Sequence, residues 1–169
     1  MNATYIAIDP GTRQSAFVAF SSPQDIHCFA TVDNENLELR LREFCYEWCK
    51  PAEKLTGYHH LAIEMVASYG KPVGDEVFQT CLWTGRFIGA FNGPHTLLKR
   101  HQIRQHLCHA TAGVNDGVIR QRLIDMYGGK EAAIGRKATP GTLYGFKGDE
   151  WQALAVAVTW WEKQQAEAA

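Results

Sequence analysis

Three acids are placed where chemistry could be done. Asp9 ends the apolar run Tyr5-Ile6-Ala7-Ile8, Glu64 interrupts Leu61-Ala62-Ile63-Glu64-Met65-Val66, and Asp149 precedes Trp151-Gln152-Ala153-Leu154-Ala155-Val156. A carboxylate in an apolar strand is costly to bury unless it is paired, hydrogen-bonded or metal-bound. No basic residue lies at a strand position that would obviously neutralise both Asp9 and Glu64. Carboxylates gathered without a counter-charge make a site for a hard divalent cation with oxygen ligands. Two such ions can clamp a phosphodiester displacement, one activating water and the other stabilising the departing 3′-oxygen. Local roles compete for two of the acids: Asp9 can cap the turn Asp9-Pro10-Gly11, and Asp149 can N-cap a helix. Glu64, in mid-strand, has no local capping role.

Bringing these acids together requires particular elements. Tyr5 to Ile8, Ser15 to Phe20 and Ile26 to Val32 read as strands, the last two joined by the hairpin-length Ser21-Ser22-Pro23-Gln24-Asp25. Leu37, Leu41, Phe44, Cys45 and Trp48 then follow helical spacing until Pro51 forbids continuation. A fourth strand covers 60–66, and a loop follows over 67–74. The helix expected over 75–91 carries Val77, Phe78, Cys81, Leu82, Gly85, Ile88 and Gly89 on one broad face. A short fifth strand at 96–98 leads to helical segments near 101–109 and 114–127. Residues 128–148 have no periodicity and read as a long loop, uncommon unless functional or disordered. A last helix, about 149–165, should bury Trp151, Leu154, Ala155, Val158 and Trp161. Three strands joined by short turns must be antiparallel, and strands reached through helices are parallel crossovers. The expected fold is therefore α/β: a mixed five-stranded sheet, three antiparallel then two parallel strands, with helices on both faces. Its first and fourth strands are neighbours, which sets Asp9 beside Glu64.

Composition bounds the alternatives. The 169 residues suit one domain over 1–169; they are 46% hydrophobic and 21% charged, with mean hydropathy -0.26 and formal net charge -1. No apolar run approaches the ~20 residues of a membrane span, and no basic leader precedes the first strand. A membrane protein, a disulfide-stapled secreted mini-protein and a disordered chain are excluded. The five cysteines, Cys28, Cys45, Cys49, Cys81 and Cys108, lack a second pair with zinc spacing and read as buried or half-buried free thiols of a reducing cytoplasm. The small net charge hides an uneven distribution. Residues 95–147 hold nine basic and three acidic side chains, a net of +6, whereas the remainder holds eight basic and fifteen acidic, a net of -7. A basic block on an acidic chain is compatible with binding a phosphate backbone, and equally with a solvated helix face and a basic loop.

Ile6-Ala7-Ile8-Asp9-Pro10-Gly11-Thr12, Leu61-Ala62-Ile63-Glu64 and Gly148-Asp149-Glu150-Trp151-Gln152-Ala153-Leu154-Ala155-Val156-Ala157 resemble three motifs of RuvC-type Holliday junction resolvases. The variant is similar to those of phages and prophages, and the element order matches the ribonuclease-H-like superfamily over almost the whole chain. The resemblance implies a homodimeric, magnesium-dependent endonuclease (Mn²⁺ as substitute) that nicks four-way DNA junctions symmetrically in a bacterial or phage-infected cytoplasm. It assigns Asp9, Glu64 and Asp149 as the catalytic, metal-binding acids. Family members often carry a second acidic or His/Asp position three residues into the last helix, where this chain has Gln152. Glu150 is the adjacent candidate ligand, though a helix turns it ~100° away. In the loop after Glu64, Tyr69 could stack on an unpaired base beside Lys71. Lys99, Arg100, Arg104, Arg136, Lys137 and Lys147 are candidate phosphate contacts. Gly85 and Gly89 would permit close helix approach at a dimer interface or within the fold.

Other readings start from the same residues. Asp9-Pro10-Gly11-Thr12 also resembles the phosphate hairpin of sugar kinases and actin-like ATPases, but 169 residues cannot hold their two lobes. The same fold could act on RNA, RNA–DNA hybrid or other branched DNA. Loss of a fourth ligand at Gln152 could also leave a junction-binding protein with impaired catalysis.

Overall fold

The computed structural model describes residues 4–48, 60–67, 70 and 72–168. Alternating and continuous apolar runs form β1 (Tyr5–Asp9), β2 (Gln14–Ser22), β3 (Asp25–Asp33), β4 (Leu61–Met65) and β5 (His95–Lys99). They make one sheet in the order β3-β2-β1-β4-β5. The β1–β2 and β2–β3 pairs are antiparallel; β1–β4 and β4–β5 are parallel. This is the mixed sheet expected from the order of the elements.

Two cores cover its faces. Ile6, Ile8, Phe17, Leu61 and Ile63 face α1 (Asn34–Trp48) and α2 (Asp75–Phe91), which contribute Leu37, Leu41, Trp83 and Phe87. Ala7, Ala16, Val18 and Ala62 face the opposite way. They meet α3 (Arg100–Cys108), α4 (Asp116–Met126) and α6 (Glu150–Ala168). The small residues on that face let α6 lie close to the sheet. Every residue of α6 from Glu150 to Trp160 is buried, a wider contact than the single stripe expected.

Three expectations are corrected. The 128–148 segment is not a structureless loop: it holds α5 (Lys130–Ala133) and a small hairpin of β6 (Gly135–Arg136) and β7 (Thr139–Pro140). Ala133, Leu143 and Phe146 anchor it in the core. Strands of two residues are too short to show a period, and Gly135 turns the chain at φ +68°, with Thr139 O only 2.2 Å from where a Cβ would stand. On α2 the broad apolar face reads outward. Trp83, Phe87 and Phe91 are buried, whereas Phe78 and Leu82 are 61% and 56% exposed, because the larger aromatic stripe claims the sheet. Cys28 is exposed rather than buried because β3 is an edge strand; Cys81 and Cys108 are half-buried free thiols. Cys49 and the side chain of Cys45 lie outside the described residues.

Candidate active site

Parallel pairing of β1 with β4 sets Ile8 opposite Ile63, so the next residue of each strand, Asp9 and Glu64, end side by side. Side chains alternate along a strand. Ala7 and Ala62 enter the α6-side core, so Asp9 and Glu64 face that same side. The turn leaving Asp9 is held without its carboxylate. Gly11 N–H donates to Ser15 Oγ (3.1 Å), Ser15 Oγ–H to Asn34 Oδ1 (2.6 Å), and Asn34 Nδ2–H to Gly11 O (3.0 Å). A Cβ on Gly11 would stand 2.2 Å from Gln14 O, so this turn requires glycine. Among the described residues the Asp9 carboxylate makes no hydrogen bond and is not the cap of its own turn.

Burial and crowding perturb both acids. Asp9 is pushed up from 3.8 to about 8, first by burial, then by Glu64, with Asp149 and Asp116 adding; Arg100 opposes. Glu64, 7% exposed, is also raised, first by burial, while Arg100 and Arg104 pull it down. Clustered carboxylates with raised values are a signature of functional sites.

A basic residue does reach these acids, contrary to the reading of the strands alone. Glu64 pairs with Leu98 and Met65 with Lys99 across β4–β5, so Arg100 starts α3 just past the strand end. Its Nη1–H donates to Glu64 Oε1 at 3.0 Å, and its Nη2–H donates to Asp116 in the first turn of α4. Arg100, expected as a phosphate contact, is thus ion-paired within the acid centre. Asp116 is the residue that sequence reasoning missed. Asn115 caps α4 by accepting from Val118 N–H at 3.1 Å, and an acid in a first helical turn is ordinary.

The start of α6 separates two adjacent acids. Asp149 is exposed, and among the described residues its carboxylate caps no backbone N–H. Glu150 is 2% exposed and its Oε2 accepts from Lys147 N–H at 2.9 Å, which accounts for its burial without a metal. Gln152, where the sequence resemblance implies a further acid, is buried and neutral. Glu64, Asp149 and Asp116 thus all act on Asp9 electrostatically, whereas Glu150 is engaged by Lys147 N–H.

Asp9, Glu64, Asp116 and Asp149 are all hard oxygen donors, which suits Mg²⁺ in chemistry. In arrangement the site is not closed: among the described residues no three His, Cys, Asp or Glu side chains are poised to hold a metal ion. One oxygen of Glu64 is given to Arg100.

The remaining expected contacts are scattered. Arg104 is half-buried near Glu64, its Nε buried without a partner among the described residues. Lys99, Lys137 and Lys147 are exposed, and Arg136 lies 3.8 Å from Glu131 with both side chains mostly in solvent. Within the same basic block, Arg120 lies 5.1 Å over the Trp151 ring and Arg122 Nε–H donates to Leu107 O at 2.9 Å. Tyr69 and Lys71 lie outside the described residues.

No protein-family profile matches the chain, and no curated protein matches it. Solved structures do. The structure of Thermus thermophilus RuvC superposes with a TM-score of 0.65 at 12% identity, covering 96% of this chain and 96% of that one. T. thermophilus RuvC in complex with a Holliday junction substrate gives 0.58 at 13% identity, covering 98% and 97%. Superposition of this extent, with the strand order of the sheet, assigns the chain the RuvC-type α/β fold.

Proposed function

We propose that this protein is a Holliday junction resolvase of phage or prophage type, a single-domain, metal-dependent endodeoxyribonuclease that nicks four-way DNA junctions in the cytoplasm. The observation that carries the reading is the coupling of Asp9, Glu64 and Asp149 at one end of a RuvC-type sheet. A similar protein, T. thermophilus RuvC, is known in complex with a Holliday junction, which favours branched DNA over RNA or hybrid.

Asp9 and Glu64 are fixed by the β1–β4 register, and Asp149, just before α6, adds to the electrostatic field at Asp9. Together they would hold Mg²⁺ or Mn²⁺, which supplies an activated water and stabilises the departing 3′-oxygen. With Gln152 in place of an acid, the chain offers fewer fixed charges at that end, so the second cation of a two-ion mechanism binds more weakly. Lys137, Lys147 and Arg136 are exposed cations that would contact the phosphate backbone without reading sequence. The exposed stripe of Phe78, Leu82, Gly85 and Gly89 on α2 supports a homodimer. Both glycines have open space where a Cβ would stand, leaving room for close approach of a second helix.

Purified protein incubated with a synthetic four-way junction and Mg²⁺ tests the reading, with linear duplex and RNA–DNA hybrid as controls. Paired symmetric nicks confined to the junction are expected. Cleavage confined to the hybrid, or junction binding with no nicks in Mg²⁺ or Mn²⁺, overturns it.

A further inference from the structure

The acid centre contains its own cation. Arg100 sits one residue beyond the β5 strand end, and its two terminal nitrogens are split between Glu64 on β4 and Asp116 on α4. Two carboxylates from two elements therefore share one positive side chain. That side chain is 29% exposed, so the pairs are only partly screened by water.

This arrangement conflicts with a ready-made metal site. A divalent cation at this centre needs Glu64 oxygens, and Oε1 is already committed at 3.0 Å. Among the described residues no three acids are poised to ligate. Asp116 provides somewhere for the guanidinium to go. It is 64% exposed and belongs to a separate helix, so Arg100 can stay tethered there after leaving Glu64.

We infer that Arg100 is a displaceable counter-ion of the acid centre, a positioning residue that occupies Glu64 in the metal-free protein and hands it over when a divalent cation binds. The inference rests on the metal-binding role of Glu64 proposed above. It gives the metal-free protein a neutralised site in place of crowded bare carboxylates, and it makes metal binding a competition between two cations.

The test is Mn²⁺ binding to the full-length protein without DNA, followed by calorimetry and by metal-induced change in melting temperature. Arg100→Gln is expected to bind Mn²⁺ about fivefold more tightly than the parent, the scale of one partly exposed ion pair. It should melt lower than the parent without metal and gain more on adding it. Arg104→Gln removes a nearby positive charge that is not bonded to Glu64, and should change affinity less than half as much. Asp116→Asn should weaken Mn²⁺ binding by leaving Arg100 wholly to Glu64, and this weakening should vanish in the Arg100→Gln background, because the two act through one contact. If Arg100→Gln gains no more affinity than Arg104→Gln, or binds more weakly than the parent, Arg100 is a structural ion pair and the displacement idea fails alone. If no protein in the series binds Mn²⁺, the metal reading of the site fails with it.

Discussion

Two basic regions of this chain lie within a few dozen residues of each other and have opposite surroundings. Arg100 and Arg104, on α3, are drawn into the acid centre: one is shared between Glu64 and Asp116, the other has its Nε buried near Glu64. Arg136 and Lys137, on the β6–β7 hairpin, stand in solvent with only a loose approach to Glu131. Formal charge is the same in both. The difference is what the fold brings opposite them: the ends of three parallel strands in the first case, and water in the second. Positive charge in a sequence therefore marks a region, and only its partners assign a role.

Breaking each region separately should give effects of very different size. The largest is expected in the acid centre. Glu64→Gln should lower junction cleavage by about a thousandfold, as loss of a group that stabilises transition-state charge does. The double variant Arg136→Ala/Lys137→Ala, assayed at saturating junction, should stay within about threefold of the parent. Equal losses from the two would mean that the hairpin belongs to the catalytic centre.

Next comes the stability of the metal-free protein against pH. Asp9 has a folded value of about 8 against the usual 3.8, so the unfolded chain releases its proton first. Stability should then fall as pH rises from about 4 to 8, by at least about 1 kcal/mol between those limits. Denaturant melts in a chelator at pH 5 and pH 8 would read this, and Asp9→Asn should flatten most of the slope. A parent protein that becomes more stable over that range would show Asp9 to be satisfied as an anion.

A comparable but local effect separates the neighbours at α6. Glu150→Ala should cost about 1–2 kcal/mol by orphaning Lys147 N–H, the usual scale for a lost helix cap. Asp149→Asn should leave thermal stability unchanged or slightly raised without metal while abolishing cleavage. Strong destabilisation by Asp149→Asn would make it a structural residue.

The smallest change belongs to DNA affinity. Arg136→Ala/Lys137→Ala should weaken junction binding a few-fold and reduce the slope of log affinity against log salt by about two, one unit per lost phosphate contact. Arg100→Gln should leave that slope nearly unaltered, because its charge already faces carboxylates. A drop in slope with Arg100→Gln would return it to the phosphate contacts.

Much of the centre was legible in the sequence because strands alternate. Asp9 closes a run whose other members must be buried, Glu64 breaks one, and the order of strands and helices makes the two runs neighbours. Asp149 was found beside an unusually apolar helix. Asp116 was not found, since an acid after a capping Asn is common at any helix start. Glu150 was ambiguous for the complementary reason: its carboxylate reaches back three residues to a backbone N–H, and a cap of this kind looks in sequence like one more acid near a site. The outward turn of Phe78 and Leu82 on α2 escaped prediction because two apolar stripes share that helix, and the choice between them depends on which one the sheet accepts.

By itself the sequence determined the periods: which residues make strands, which strands carry a carboxylate, and that the chain's near-zero charge is a cancellation. These follow from side-chain alternation and local burial, which are properties of short segments. Only the tertiary structure decided that Arg100 pairs with Glu64 and Asp116, that Glu150 accepts from Lys147 N–H while Asp149 caps no backbone N–H among the described residues, and that the 128–148 segment holds an anchored hairpin. Those outcomes depend on which groups approach within hydrogen-bond reach from distant segments, and Coulomb and hydrogen-bond energies are set by that distance and by burial.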